Sequence, residues 1–268
     1  MPKPIINFVH ANGFPAASYN TFLEYIKPDY QIMALPQYGH NPLYGITHNW
    51  QYLVDELIEF VLIQNQIIKD KNQKVINVGH SFGGVISFMA ACQRPDLFKG
   101  LIMLDPPAFT GSTAFLMKLL KNTRFIDHIT PAGRTKMRRK QWPLSANMVN
   151  QFKHKALFKN FDPRCLADYA HNAIVQRNQK LELAFSAEVE TDIFRNLPVN
   201  LNQFKNKLTI PATLIYAENG VCSPRLVHKF SSKNNINVIK RPNIGHMFPL
   251  EQPEETALLI KHTIKSWQ

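Results

Sequence analysis

The sequence predicts an α/β protein: a parallel sheet of about six strands flanked by helices, with a helical lid inserted between two strands. Three observations predict it. Short apolar runs of strand length alternate with longer amphipathic stretches, the pattern of a parallel sheet covered by helices. One of those runs leads into a serine bracketed by glycines, and a helical stretch follows at once. The strand rhythm then stops after residue 105 and resumes near 209, leaving mainly helical or irregular patterning over 106–207.

The first strand is expected at 5–9 and the second at 31–35. Between the second and third, residues 49–68 carry Leu53, Leu57, Phe60, Val61, Ile67 and Ile68 at helical spacing. The third strand is expected at 74–78. A helix then begins at Phe82 or Gly83 and ends near Gln93, stopped by Pro95. The fourth strand is expected at 101–105. After the insertion come strands at 212–217 and 237–240, and a last helix over 254–267 entered through Pro253. The core is therefore 1–105 together with 208–268, and the lid is 106–207.

Composition narrows the function. At 45% hydrophobic and 19% charged residues the chain is too apolar for disorder, and it has no internal repeat. No uncharged apolar run approaches the ~20 residues that cross a bilayer. The start, Met-Pro-Lys-Pro-Ile-Ile, lacks a long apolar segment ending in small residues, so no secretory signal is expected. Cys92, Cys165 and Cys222 are odd in number and far apart, which argues against a disulfide scaffold or zinc ribbon and points to a reducing cytoplasm. The net charge of +12 is concentrated: residues 118–164 hold 12 basic side chains against two acids, Asp127 and Asp162. Such a segment suits an anionic substrate, a membrane surface or nucleic acid, or is simply a solvated face. No helix-turn-helix, RNP or zinc pattern supports nucleic acid, and no phosphate-binding loop or HExxH metal site is present.

The chemistry-bearing motif is Gly79-His-Ser81-Phe-Gly83, placed after a β-branched strand and before a helix. That is the context of a nucleophile elbow: the serine sits in a strained turn, and glycines on either side let strand and helix approach. The helix N-terminus also favours negative charge developing near the serine. Here the chain resembles the α/β-hydrolase superfamily over nearly its whole length, with features in the family's order. Val9-His-Ala-Asn-Gly resembles the family's oxyanion loop, with Ala11 in place of the usual glycine. The resemblance implies that Asn12 and Phe82 supply the backbone N–H groups of the oxyanion hole. Ile244-Gly-His246 resembles the loop carrying the catalytic histidine, while His10, His40 and His80 are expected to be structural. The usual triad aspartate is missing, because Gly220 stands in its place. Asp105, at the end of the fourth strand, is favoured as the acid; Glu218 is the alternative, and a site with no acid stays open. The family's two opening strands are absent, so a six-stranded, all-parallel sheet is expected. Its unprotected edge leaves dimerisation or a covering segment open.

The resemblance implies a serine hydrolase that cleaves a carboxylic ester or thioester through an acyl-enzyme on Ser81, needing no cofactor. Acyl transfer, carbon–carbon hydrolysis, cofactor-free peroxidation and non-catalytic ligand binding stay open on the same fold. Dehalogenation is disfavoured, since its nucleophile is an aspartate where this chain has Ser81. Apolar residues of 106–207 are expected to line an acyl pocket. The basic run 133–140 is a candidate contact for an anionic leaving group such as a coenzyme A moiety, or for anionic lipid heads.

Overall fold

Strands covered by helices on both faces are apolar nearly throughout. The computed structural model, which describes residues 3–68 and 74–267, follows that rule. Residues 1–2, 69–73 and 268 of the expected core lie outside the described residues. β1 (Ile5–Val9), β2 (Gln31–Met33), β3 (Val75–His80) and β4 (Phe98–Leu104) precede the insertion. β5 (Gln141–Pro143), β6 (Ile174–Arg177) and β7 (Lys180–Leu183) lie within it, and β8 (Ala212–Asn219) and β9 (Asn237–Gly245) follow. The main sheet has the order β2-β1-β3-β4-β8-β9, every pair parallel. β1 and β3 are buried along their whole length, whereas the edge strands β2 and β9 are partly exposed. The strand nearest the N-terminus is thus internal, and the edge beside it is β2. Three residues of edge strand present little unpaired backbone.

Side chains alternate across the sheet with period two. Ile5 and Val9 join an apolar cluster with Val54, Val61 and Phe88, under the helices Gln51–Ile67 and Phe82–Gln93. Ile6 and Phe8 face the other way, into a cluster with Tyr19, Phe22 and Ile260 of the closing helix Pro253–Lys265. The inserted segment shares this second cluster, through Phe152, Phe158, Phe161 and Tyr169. Phe14 of the first loop lies 4.7 Å from the Tyr169 ring, so the insertion is anchored to the loop that follows β1.

The insertion departs from the helical expectation in one respect. Between its helices it forms a three-stranded antiparallel sheet, β5-β7-β6. β6 and β7 are joined by Asn178-Gln179, both at positive φ (45° and 62°), the conformation that a two-residue hairpin turn demands. The strands are only three or four residues long, too short for alternation to stand out from helical periodicity. Among the described residues no helix is long and apolar enough to cross a membrane.

Candidate active site

Ser81 occupies the turn between β3 and the helix Phe82–Gln93, at φ 54° and ψ −119°. A non-glycine residue there is strained, and the flanking glycines make the turn possible. A Cβ on Gly79 would lie 2.3 Å from the Gly83 carbonyl oxygen, and one on Gly83 would lie 2.1 Å from that of Val9. Each glycine is therefore required by a backbone crossing. The Ser81 N–H donates to Leu104 O (2.8 Å), which ties the turn to β4.

Asp105 directly follows the last residue of β4, at φ 44° and only 1% exposed. Its carboxylate accepts from the Ala217 N–H on Oδ1 and from the Val221 N–H on Oδ2, both at 3.0 Å. The third donor is His246 Nδ1–H, 2.6 Å from Oδ2. That bond fixes the imidazole tautomer, so Nε2 is the acceptor; it lies 3.0 Å from Ser81 Oγ. The structure thus brings together Ser81, His246 and Asp105, residues 141 and 165 apart in the chain where they pair.

Glu218 is placed elsewhere. Its carboxylate is bonded to Lys240 Nζ and to the Asn243 N–H (2.9 Å), on the exposed side of β8 and β9. Gly220, the position where the family's acid was expected, has its space filled. A Cβ there would sit 2.3 Å from Asp105 Oδ1 and 2.6 Å from Oδ2. The Asp105 carboxylate occupies the volume that a side chain at 220 would enter.

Phe82 is the first residue of its helix, so its N–H has no intrahelical acceptor. Asn12 lies in the turn after β1, beside Gly13 at φ 77°, with its side chain donating to Glu190 O (2.9 Å). Both line the same cavity as Ser81 and His246.

The three other motif histidines are all bonded through both ring nitrogens. His10 donates from Nδ1 to Ala11 O and accepts from the Tyr38 N–H; burial pushes it down to about 4, keeping it neutral. His40 donates to Tyr38 O and accepts from the Ser186 N–H of the insertion. His80 is in a more telling place. The Ala11 N–H donates to Tyr19 Oη (3.3 Å), Tyr19 donates to His80 Nδ1 (2.7 Å), and His80 Nε2–H donates to the His246 carbonyl (3.0 Å). Burial, then the neighbouring His246, hold His80 well below the ordinary histidine range. A neutral imidazole has one donor and one acceptor, and both are used. Sequence reasoning missed Tyr19, because an aromatic residue among other aromatics carries no signal of its hydroxyl's partner.

The cavity over Ser81 has a volume of about 670 Å³. Its walls are mainly apolar, with Trp50, Phe109, Met117, Phe158, Ile193 and Met247 among them. A second polar centre, also absent from the motif reading, lies in the same wall. Arg138 Nη1 donates to Glu190 Oε2 (2.8 Å), and Nη2 donates to Tyr169 Oη (3.3 Å). Burial raises the Glu190 carboxyl above its usual range, and Arg138 counters that. Among the described residues no group of three or more His, Cys, Asp or Glu is placed to hold a metal ion.

A family model described as Serine aminopeptidase, S33, matches residues 1–235, a span that contains Asn12, Ser81 and Asp105 and stops short of His246. The monoglyceride lipase of Rattus norvegicus is 32% identical over 110 residues, 39% of this chain and 35% of that protein. The monoglyceride lipase of Mus musculus is 28% identical over 280 residues, 99% of this chain and 82% of that protein. Among solved structures, the peroxisomal alpha-beta-hydrolase Lpx1 of Saccharomyces cerevisiae has the same fold, with a TM-score of 0.79 at 14% identity, covering 98% of this chain and 76% of that one.

Proposed function

The chain belongs to the α/β-hydrolase family described as Serine aminopeptidase, S33, and from that premise we propose a serine hydrolase that cleaves carboxylic esters or thioesters through an acyl-enzyme on Ser81. The observation that carries the reading is the unbroken run of hydrogen bonds from Ser81 Oγ through the His246 imidazole to Asp105. His246 Nε2 takes the serine proton as Oγ attacks the acyl carbonyl. Asp105 keeps the ring in the required tautomer and stabilises the imidazolium that forms. The Asn12 and Phe82 N–H groups receive the oxyanion, a contribution of ~3 kcal/mol per donor in well-studied sites. His246 then protonates the leaving group and activates the water that releases the acid.

The relatives named monoglyceride lipases support an ester as the scissile bond. The apolar walls of the cavity support a substrate with a hydrocarbon acyl chain. In this reading residues 106–207 are a cap over the core made by 1–105 and 208–268, contributing Phe109, Met117 and Phe158 to the acyl pocket. A fluorophosphonate probe tests the reading directly. It is expected to label the wild-type protein and not Ser81→Ala, with p-nitrophenyl butyrate hydrolysis lost in parallel. Unlabelled wild-type protein, or equal turnover by the variant, refutes it.

A further inference from the structure

The charges in the cavity wall are unbalanced. Arg134, Arg138 and Lys155 line it together with a single carboxylate, Glu190, apart from the Ser81–His246 site. Glu190 is engaged by Arg138 through one oxygen. Neither Arg134 nor Lys155 has a carboxylate within ion-pair distance among the described residues; Lys155 stands over the Phe152 ring at 5.0 Å. Elsewhere in this part of the chain Lys140 pairs with Glu188, Arg164 with Asp162 and Arg195 with Asp127, while other exposed cations such as Arg124, Lys136 and Lys159 stand without an ion-pair partner among the described residues. What sets Arg134, Arg138 and Lys155 apart is their place in the wall of the cavity over Ser81, where Glu190 is the one carboxylate that offsets them.

We propose that Arg138, with Arg134 and Lys155, forms an anion subsite, so that the substrate is an ester carrying a carboxylate as well as the scissile bond. This rests on the hydrolase reading of the same site and names its substrate class. The geometry suits the task. Glu190 and Tyr169 hold the guanidinium in the wall through two of its five N–H groups, leaving donors for a carboxylate. Arg134 and Lys155 are exposed at the same wall and add long-range attraction for an entering anion. Burial and then the charges of Arg138 and Arg139 press the Lys155 amine below its ordinary range. That repulsion is relieved when an anion binds. A purely structural role for the Arg138–Glu190 pair, bracing Glu190 against the turn at Gly13, explains neither of the other two cations.

The test measures binding to the full chain carrying Ser81→Ala, so that nothing turns over. Calorimetric titrations compare monomethyl adipate (carboxylate on the acyl side) with dimethyl adipate, and O-hexanoyl glycolate (carboxylate on the alcohol side) with methyl hexanoate. At least one carboxylate ester is expected to bind about tenfold more tightly than its neutral partner, the difference shrinking at high salt. Which arm responds identifies the end that carries the charge. Lys155→Met is expected to reduce the difference several-fold, and it avoids the risk that Arg138→Met misfolds by stranding Glu190. Equal affinities in both arms, binding of no ester, or a difference untouched by Lys155→Met overturns the subsite. Fluorophosphonate labelling of wild-type Ser81 with equal affinities leaves the hydrolase standing without the subsite. Tight carboxylate binding without labelling leaves the subsite and removes the hydrolase.

Discussion

Replacing Asp105 by asparagine separates the two candidate acids. The native carboxylate accepts three hydrogen bonds: His246 Nδ1–H at 2.6 Å, Ala217 N–H at 3.0 Å and Val221 N–H at 3.0 Å. An amide has one accepting oxygen, so its NH2 must face a donor whichever way it turns. Turned toward His246, it forces the ring into the tautomer protonated on Nε2, which cannot take the Ser81 proton. The loss is then as large as ~10⁴ in turnover, equivalent to ~5.5 kcal/mol of barrier. Turned toward Ala217, it opposes that N–H, and turned toward His246 it opposes the Val221 N–H as well; either costs ~1–3 kcal/mol of stability, and only the second also costs turnover. Turnover of p-nitrophenyl butyrate, normalised to fluorophosphonate-titrated sites and paired with thermal unfolding, distinguishes the two. Glu218→Gln serves as the control. Its carboxylate is bonded to Lys240 and the Asn243 N–H on a surface 39% exposed, so turnover is expected to stay within about threefold. If Asp105→Asn keeps more than about a tenth of wild-type turnover with unchanged stability while Glu218→Gln loses it, the assignment of Asp105 is wrong.

Gly220→Ala places a Cβ 2.3 Å from Asp105 Oδ1, so turnover is expected to fall at least about tenfold in the same assay. Tyr19→Phe removes the hydroxyl between the Ala11 N–H and His80 Nδ1; melting should report a loss of ~1–3 kcal/mol, with kcat falling and KM little changed. Glu56, 5% exposed and accepting the Gly39 N–H, is raised by burial from its ordinary 4.5 to about 7. Because the folded protein holds this proton more tightly than the unfolded chain, the contribution is present below about 4.5 and lost as pH rises through about 7, at most ~3 kcal/mol. Glu56→Gln should therefore gain stability over wild type at pH 8 relative to pH 5, measured by urea denaturation at both; an unchanged difference would count against the buried proton.

Much of the fold was legible because a parallel sheet writes itself as unbroken apolar strands. β1, β3 and β4 are buried almost end to end. The elbow was legible because backbone crossings at Gly79 and Gly83 leave no residue choice. Asp105 could be nominated from the gap at Gly220, but only coordinates bring the two positions into one volume. The β5-β7-β6 sheet was lost to short strands, where three residues carry too little periodicity. Arg138, Glu190 and Tyr169 were invisible as a unit because their contacts span 31 and 52 residues within a segment read as mainly helical or irregular.

The crowding between residues 105 and 220 bears on how such proteins change over generations. The room beside the imidazole is taken by the Asp105 carboxylate, and a side chain at 220 would enter the same volume. Installing a carboxylate at 220 before removing the first expels the resident, and removing the first beforehand leaves the ring without its anchor. Every single-step route between the arrangements crosses a crippled form, so a mutant library altering either site alone will sample only poor catalysts. Exchange becomes accessible when both codons vary together.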